Sequence, residues 1–117
     1  MISPEYKIEI KLGSKVLTAR IIRNYARELS SELEQKLPIT SMFVRRGGFI
    51  EIPFSMKHTT GKYVQRLPRG SVAFSPSRRA LIVALEDVSQ RSILLGDLDE
   101  IIELGRADRG IASIRKK

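Results

Sequence analysis

The chain has 117 residues, 42% of them hydrophobic and 29% charged, which is the size and balance of one globular domain. It contains no Cys and a single His, His58, and this excludes disulfides, thiol catalysis, iron–sulfur clusters and a Cys/His zinc centre. The net charge of +8 and a pI near 10.2 favour acidic partners.

Residues 1–5 carry no basic segment leading into an apolar run. No stretch approaches the roughly 18 to 20 apolar residues of a membrane helix, so a soluble, cytoplasmic chain without a membrane partner is expected. Thirteen Arg, eight Lys and fourteen Ile against one Asn and three Gln give the composition of a heat-adapted protein.

In chain order, Tyr6, Ile8, Ile10 and Leu12 alternate with Lys7, Glu9 and Lys11, the period of a strand with one buried and one wet face. Gly13-Ser14 turns the chain into a second strand, Lys15 to Ile22, giving an N-terminal hairpin. Asn24 is the expected N-cap of a helix from about Tyr25 to Lys36, because Ala26, Leu29, Leu33 and Leu37 recur at helical spacing and Pro38 stops it.

Strands follow at Ile39 to Arg45 and Phe49 to Phe54 around a Gly47-Gly48 turn. Ser55 to Lys62 is polar and reads as a surface loop. Further strands are expected at Tyr63 to Arg66, Val72 to Phe74 and Ala80 to Leu85, and Ser75-Pro76-Ser77 places Arg78 and Arg79 on a turn. Glu86 to Gln90 reads as loop and Ser92 to Leu95 as a short apolar segment. Residues 97–104 are compatible with helix or strand, residues 105–110 with a turn, and Ile111 to Ile114 with a last strand before a basic tail that is expected to fray. Seven or eight short strands with one main helix, at about residues 24–37, point to a mainly β fold, a small closed β-barrel.

The charge is unevenly distributed. Residues 1–39 carry a net +2, residues 40–80 carry eight bases and one acid for +7, and residues 81–117 carry −1. Five of the seven aromatics, Phe43, Phe49, Phe54, Tyr63 and Phe74, lie in that basic middle third. Two readings stay open. The bases are a solvated face over a core of aromatics, or they form with them a surface for an anionic ligand or nucleic acid, with Arg66, Arg69, Arg78 and Arg79 as a basic patch.

Other constellations carry little chemistry. Gly61-Lys62 lacks the earlier glycine of a phosphate-binding loop and has Tyr63 where Ser or Thr would hold magnesium. Gly47-Gly48 joins strand to strand, where a dinucleotide site needs strand to helix. His58 has no serine with a nucleophile elbow and reads as a surface histidine. The late carboxylates Glu86, Asp87, Asp97, Asp99, Glu100 and Glu103 read as solvated charges. No cofactor and no metal site is expected.

The order of hairpin, helix and strands, followed by Gly70-Ser71-Val72-Ala73-Phe74-Ser75-Pro76 running into Ala80-Leu81-Ile82-Val83, resembles a family of small prokaryotic cyclophilin-like proteins of unknown function. The likeness spans about Tyr6 to Ile114 and includes the Gly48 to Pro53 strand. It implies a cyclophilin-like β-barrel. Cyclophilins are prolyl isomerases that lower a barrier of roughly 20 kcal/mol with an arginine beside a hydrophobic slot. Phe43-Val44-Arg45 is similar to their Phe-His-Arg strand, and Phe49-Ile50 to their Phe-Met pair, so the resemblance implies Arg45 as candidate catalytic arginine and Phe49 as slot floor. Val44 stands in place of their His, Ile52 in place of their Gln, and there is no Trp. The expectation is therefore a pocket lined by Phe43, Arg45 or Arg46, Phe49, Tyr63 and Phe74 that binds a peptide or small anionic ligand. A divergent prolyl isomerase and a nucleic-acid-binding basic barrel are the alternatives.

Overall fold

The computed structural model describes residues 3–100 and 108–117. The fold is mainly β, with nine antiparallel strands in one sheet and one α-helix among the described residues: β1 Glu5–Leu12, β2 Lys15–Ile22, α1 Arg27–Lys36, β3 Ile39–Arg46, β4 Phe49–Pro53, β5 Tyr63–Leu67, β6 Ser71–Ser75, β7 Ala80–Ala84, β8 Val88–Leu98 and β9 Arg109–Lys116. The strands run in the order β2-β1-β9-β3-β4-β7-β6-β8-β5, and β2 is additionally hydrogen-bonded to β8. Among the described residues no helix is long and apolar enough to cross a membrane.

The β1–β2 hairpin follows from its alternation. Leu12 pairs with Lys15 across the Gly13-Ser14 turn, Gly13 takes the positive φ (+61°) that such a turn requires, and Tyr6, Ile8, Ile10 and Leu12 are all buried. Their partners in the main core are Leu17, Ala19 and Ile21 of β2, Ile50 and Ile52 of β4, Val72 and Phe74 of β6, and Ile93 and Leu95 of β8. Helix α1 closes this face with Leu29 and Leu33, joined by Ala26 before it and Leu37 after it, the four positions at helical spacing. A smaller cluster lies on the opposite face, where Phe49, Leu67, Ala73, Ala80, Ile82 and Ala84 pack with Val64, Val88 and Leu94.

Several boundaries differ from the sequence expectation. A 3-10 turn occupies Arg23–Tyr25, so α1 starts two residues later than expected and its N-cap is Ala26, not Asn24; the Asn24 carboxamide oxygen instead accepts from Arg27. β8 runs for eleven residues from Val88, so that only Glu86 and Asp87 of the expected Glu86 to Gln90 loop lie outside strand, because its polar first half pairs with β5 and its apolar second half with β6 and β2. Asp97 and Leu98 belong to this strand, and most of the 97–104 assignment falls outside the described residues. The basic tail does not fray: Arg115 and Lys116 extend β9, with Arg115 paired to Glu9 and Lys116 to Glu34.

Candidate functional site

The two-residue turn at Gly47-Gly48 sets the register of the β3–β4 hairpin. Arg46 pairs with Phe49, Arg45 with Ile50 and Val44 with Glu51. Successive strand residues point to opposite faces, so Arg46, Phe49 and Glu51 share one face, whereas Arg45 shares the other with Phe43 and Ile50. Arg45 and Phe49, joined by the resemblance into one catalytic pocket, therefore lie on opposite sides of the sheet. The Arg45 Nε donates to the Gly47 carbonyl at 3.4 Å.

Glu51 organises the face that Arg46 and Phe49 share. Its carboxylate is buried, with one oxygen 3.2 Å from Arg46 Nε and the other 3.1 Å from Arg78 Nη1. Arg78 also donates to Gln90 Oε1 at 2.9 Å, and its guanidinium lies 5.3 Å above the Phe49 ring centroid. A buried carboxylate needs such partners, and here two of the eight bases of the middle third serve the one acid among them. Phe49 is left 8% exposed beneath Arg78, so no open slot faces it.

The remaining expected site residues are scattered. Phe43 and Phe74 are core residues, each 1% exposed, with Phe74 packed 5.9 Å from Phe54; neither ring is available to a ligand. Tyr63 is exposed on β5, with Arg91 4.5 Å over its ring and its hydroxyl donating to the Thr59 carbonyl at 3.0 Å. Arg66 is exposed on the same strand. Arg79 sits at the β6–β7 turn with φ +51°, and Arg69 precedes β6 in a turn whose Arg69 N–H donates to Asp87 Oδ1 at 2.8 Å. The cations of residues 40–80 thus do not all share one face: Arg45 and Arg46 point to opposite sides of the sheet, and Arg46 and Arg78 are tied to Glu51.

An open groove of about 1430 Å³ lies beside β1, β2 and the end of β8. Its walls carry Lys7, Arg20, Arg23, Arg69, Lys116 and Lys117 against Glu5, Asp97, Asp99 and Glu100. Lys7 pairs with Asp99 at 2.9 Å and Arg20 with Asp97 at 3.2 Å, both between well-exposed side chains. At its inner end Arg23 forks onto Glu34 at 2.8 and 3.1 Å, and Lys116 meets the same carboxylate. The Arg23 guanidinium hydrogen bonds, followed by the Lys116 ammonium, hold Glu34 down at about 2. The Tyr6 ring lies under Arg23, and its hydroxyl donates to the Ser30 carbonyl. Burial, reinforced by Glu34, raises the Tyr6 phenol well above its ordinary value.

A second cluster ties the Ser55 to Lys62 loop to α1. Burial alone would raise the Glu32 carboxylate, but it accepts from the backbone N–H groups of Lys57 (2.7 Å) and His58 (2.9 Å), and Lys36 lies 2.9 Å away. These donors bring it to about 2, and the His58 Nδ1 lies 2.7 Å from the same carboxylate. Neither Glu32 nor the groove was singled out by sequence reasoning. The available signal for the groove was the alternation along β1, which places Lys7 on the wet face of that strand.

No family model matches the chain, and no curated protein matches it. Among solved structures, the solution structure of the hypothetical protein AF2241 from Archaeoglobus fulgidus is similar, with a TM-score of 0.76 at 18% identity over 99% of this chain and 98% of that one. The likeness is one of fold.

Proposed function

We propose that this chain is a binding module of cyclophilin-like architecture, and that it takes a peptide or small anionic ligand in the groove beside β1, β2 and β8. The additional β2–β8 pairing supports reading the sheet as a closed barrel, since it joins the first strand of the order to one near its end. The observation that carries the function is the groove itself, with six cations against four carboxylates. The Arg69 guanidinium and the Lys117 ammonium have no side-chain partner among the described residues. The exposed pairs Lys7–Asp99 and Arg20–Asp97 are each worth at most about 1 kcal/mol, so a ligand carboxylate or phosphate can exchange with them at little cost. A planar guanidinium at Arg69 then binds either anion through two parallel hydrogen bonds.

Binding is favoured over proline isomerisation because the covered Phe49 ring and the opposed Arg45 leave no arginine beside an open apolar slot. It is favoured over a nucleic-acid surface because Arg45 and Arg46 face opposite ways and Arg46 and Arg78 are already engaged by Glu51. The test is an NMR titration of the full chain with succinate, inorganic phosphate and a blocked oligoglutamate. Shifts should concentrate at Lys7, Arg20 and Gly70, and Arg69→Glu should weaken binding by about tenfold. Anion binding elsewhere, or unchanged affinity in the variant, overturns the proposal.

A further inference from the structure

We propose that the outer edge of β5 is a second binding surface, which accepts an extended acidic peptide as an added strand. β5 stands last in the strand order and pairs only with β8, so among the described residues no strand covers its other edge. The Lys62 N–H just before it is taken by the Tyr25 carbonyl at 3.2 Å, and the edge is open from there on. An unpaired edge presents main-chain donors and acceptors at strand spacing and is a template for another strand.

The side chains define which strand. Val64 and Leu67 pack into the cluster of Phe49 and Ala73, whereas Tyr63, Gln65 and Arg66 face water. Arg66, Lys62 and Arg91 have no carboxylate partner among the described residues; Lys62 lies 5.9 Å over the Tyr25 ring and Arg91 over that of Tyr63. A second copy of the chain is disfavoured, since pairing two β5 edges would bring these cations together. Single-stranded nucleic acid would use open tyrosine faces, but each ring already carries its own cation. A strand alternating acidic and small apolar residues meets all three features: its backbone pairs with the edge, its carboxylates reach Arg66 and Arg91, and its apolar residues extend the Val64 cluster.

The probe is a blocked peptide of alternating glutamate and valine, titrated into the isotopically labelled full chain. Amide shifts should centre on Tyr63 to Leu67, hydrogen exchange there should slow, and affinity should fall by about tenfold for Arg66→Glu and by a similar factor between about 50 and about 500 mM salt. The same peptide N-methylated at every residue keeps its charge but loses its main-chain donors on both edges, and it should not bind β5. Equal binding of the methylated peptide overturns strand addition. Shifts confined to Lys7, Arg20 and Gly70 overturn it while supporting the groove, and stronger binding of oligothymidylate than of the peptide at Tyr63 overturns it in favour of nucleic acid.

Discussion

Replacing Gly96 by Ala tests the seam between β2 and β8. Gly96 lies opposite both Ile21 of β2 and Val72 of β6, so backbone passes on each side of it. A β-carbon there would overlap the Arg20 carbonyl oxygen, lying 2.8 Å from its carbonyl carbon and 3.0 Å from the Ile21 Cα. Ordinary contact begins near 3.4 Å, and the atoms in the way belong to the backbone, so no rotamer relieves the clash. Parting the strands by about 1 Å stretches hydrogen bonds of about 2.9 Å beyond the useful range. The pairing spans only Ala19 to Ile21 against Gly96 to Leu98 and has no length to spare. Two or three lost bonds at about 1 kcal/mol each, with loosened packing of Ile21, Leu95 and Leu98 behind them, give a cost of roughly 3 to 5 kcal/mol. Guanidinium denaturation followed by far-ultraviolet circular dichroism measures it, and hydrogen exchange should show the Asp99 amide, which donates to the Thr18 carbonyl of β2, opening first. Gly13→Ala is the control: its φ is +61° but nothing lies within 4 Å, so it should cost only about 1 kcal/mol of left-handed backbone strain. A Gly96→Ala protein within about 1 kcal/mol of the parent, or no worse than Gly13→Ala, refutes the reasoning.

Arg78→Ala should destabilise the fold by about 1 to 3 kcal/mol, since it removes a partner of the buried Glu51 and the cover of Phe49; Arg46→Ala should cost less, because Arg46 is half exposed and touches only the carboxylate. The reverse order in a denaturation series would contradict the assignment of Arg78 as the main support. Acid should weaken the fold through Glu32 and Glu34. Both carboxyls sit at about 2 when folded against 4.5 in the free side chain, so their contribution is complete above about pH 4.5 and is lost as the pH falls toward 2. Each is worth roughly 3 kcal/mol at most. Glu32→Gln and Glu34→Gln should each flatten the fall in denaturation midpoint between pH 5 and pH 2, and variants as acid-sensitive as the parent would show that these carboxylates are not the cause.

The parts of the fold that were legible in the sequence are those in which local pattern and tertiary burial agree. The alternation from Tyr6 to Leu12, the apolar Ala80 to Ala84 run and the Ala26, Leu29, Leu33, Leu37 spacing each place the same residues in the core that the structure buries. What was hidden depends on distant partners. Val88 to Ser92 carries no strand pattern of its own and becomes β8 because β5 supplies the edge. Arg115 and Lys116 look like a fraying tail until Glu9 and Glu34 are opposite them. Asn24 has the chemistry of an N-cap, but the intervening 3-10 turn moves the helix start past it.

The candidate site shows the same division within a few residues. That Arg45 and Arg46 face opposite ways follows from strand geometry alone, and a two-residue turn at Gly47-Gly48 already requires Arg46 to oppose Phe49. Had that register been applied, the arginine on the face of Phe49 would have been Arg46, with Glu51 two residues beyond Phe49 on the same side. The lone acid of the basic middle third then has a physical reason for its position. A carboxylate on a small-residue face, beside Ala73, Ala80 and Ala84, is stable only if bases cover it, and Arg46 and Arg78 do so. The turn that holds Arg78 therefore positions a structural cation, and a dense run of positive charge along a sequence is not by itself a binding surface. The cations that the two proposals use, Arg69 and Lys117 in the groove and Arg66 on the β5 edge, are among those that have no acid beside them among the described residues.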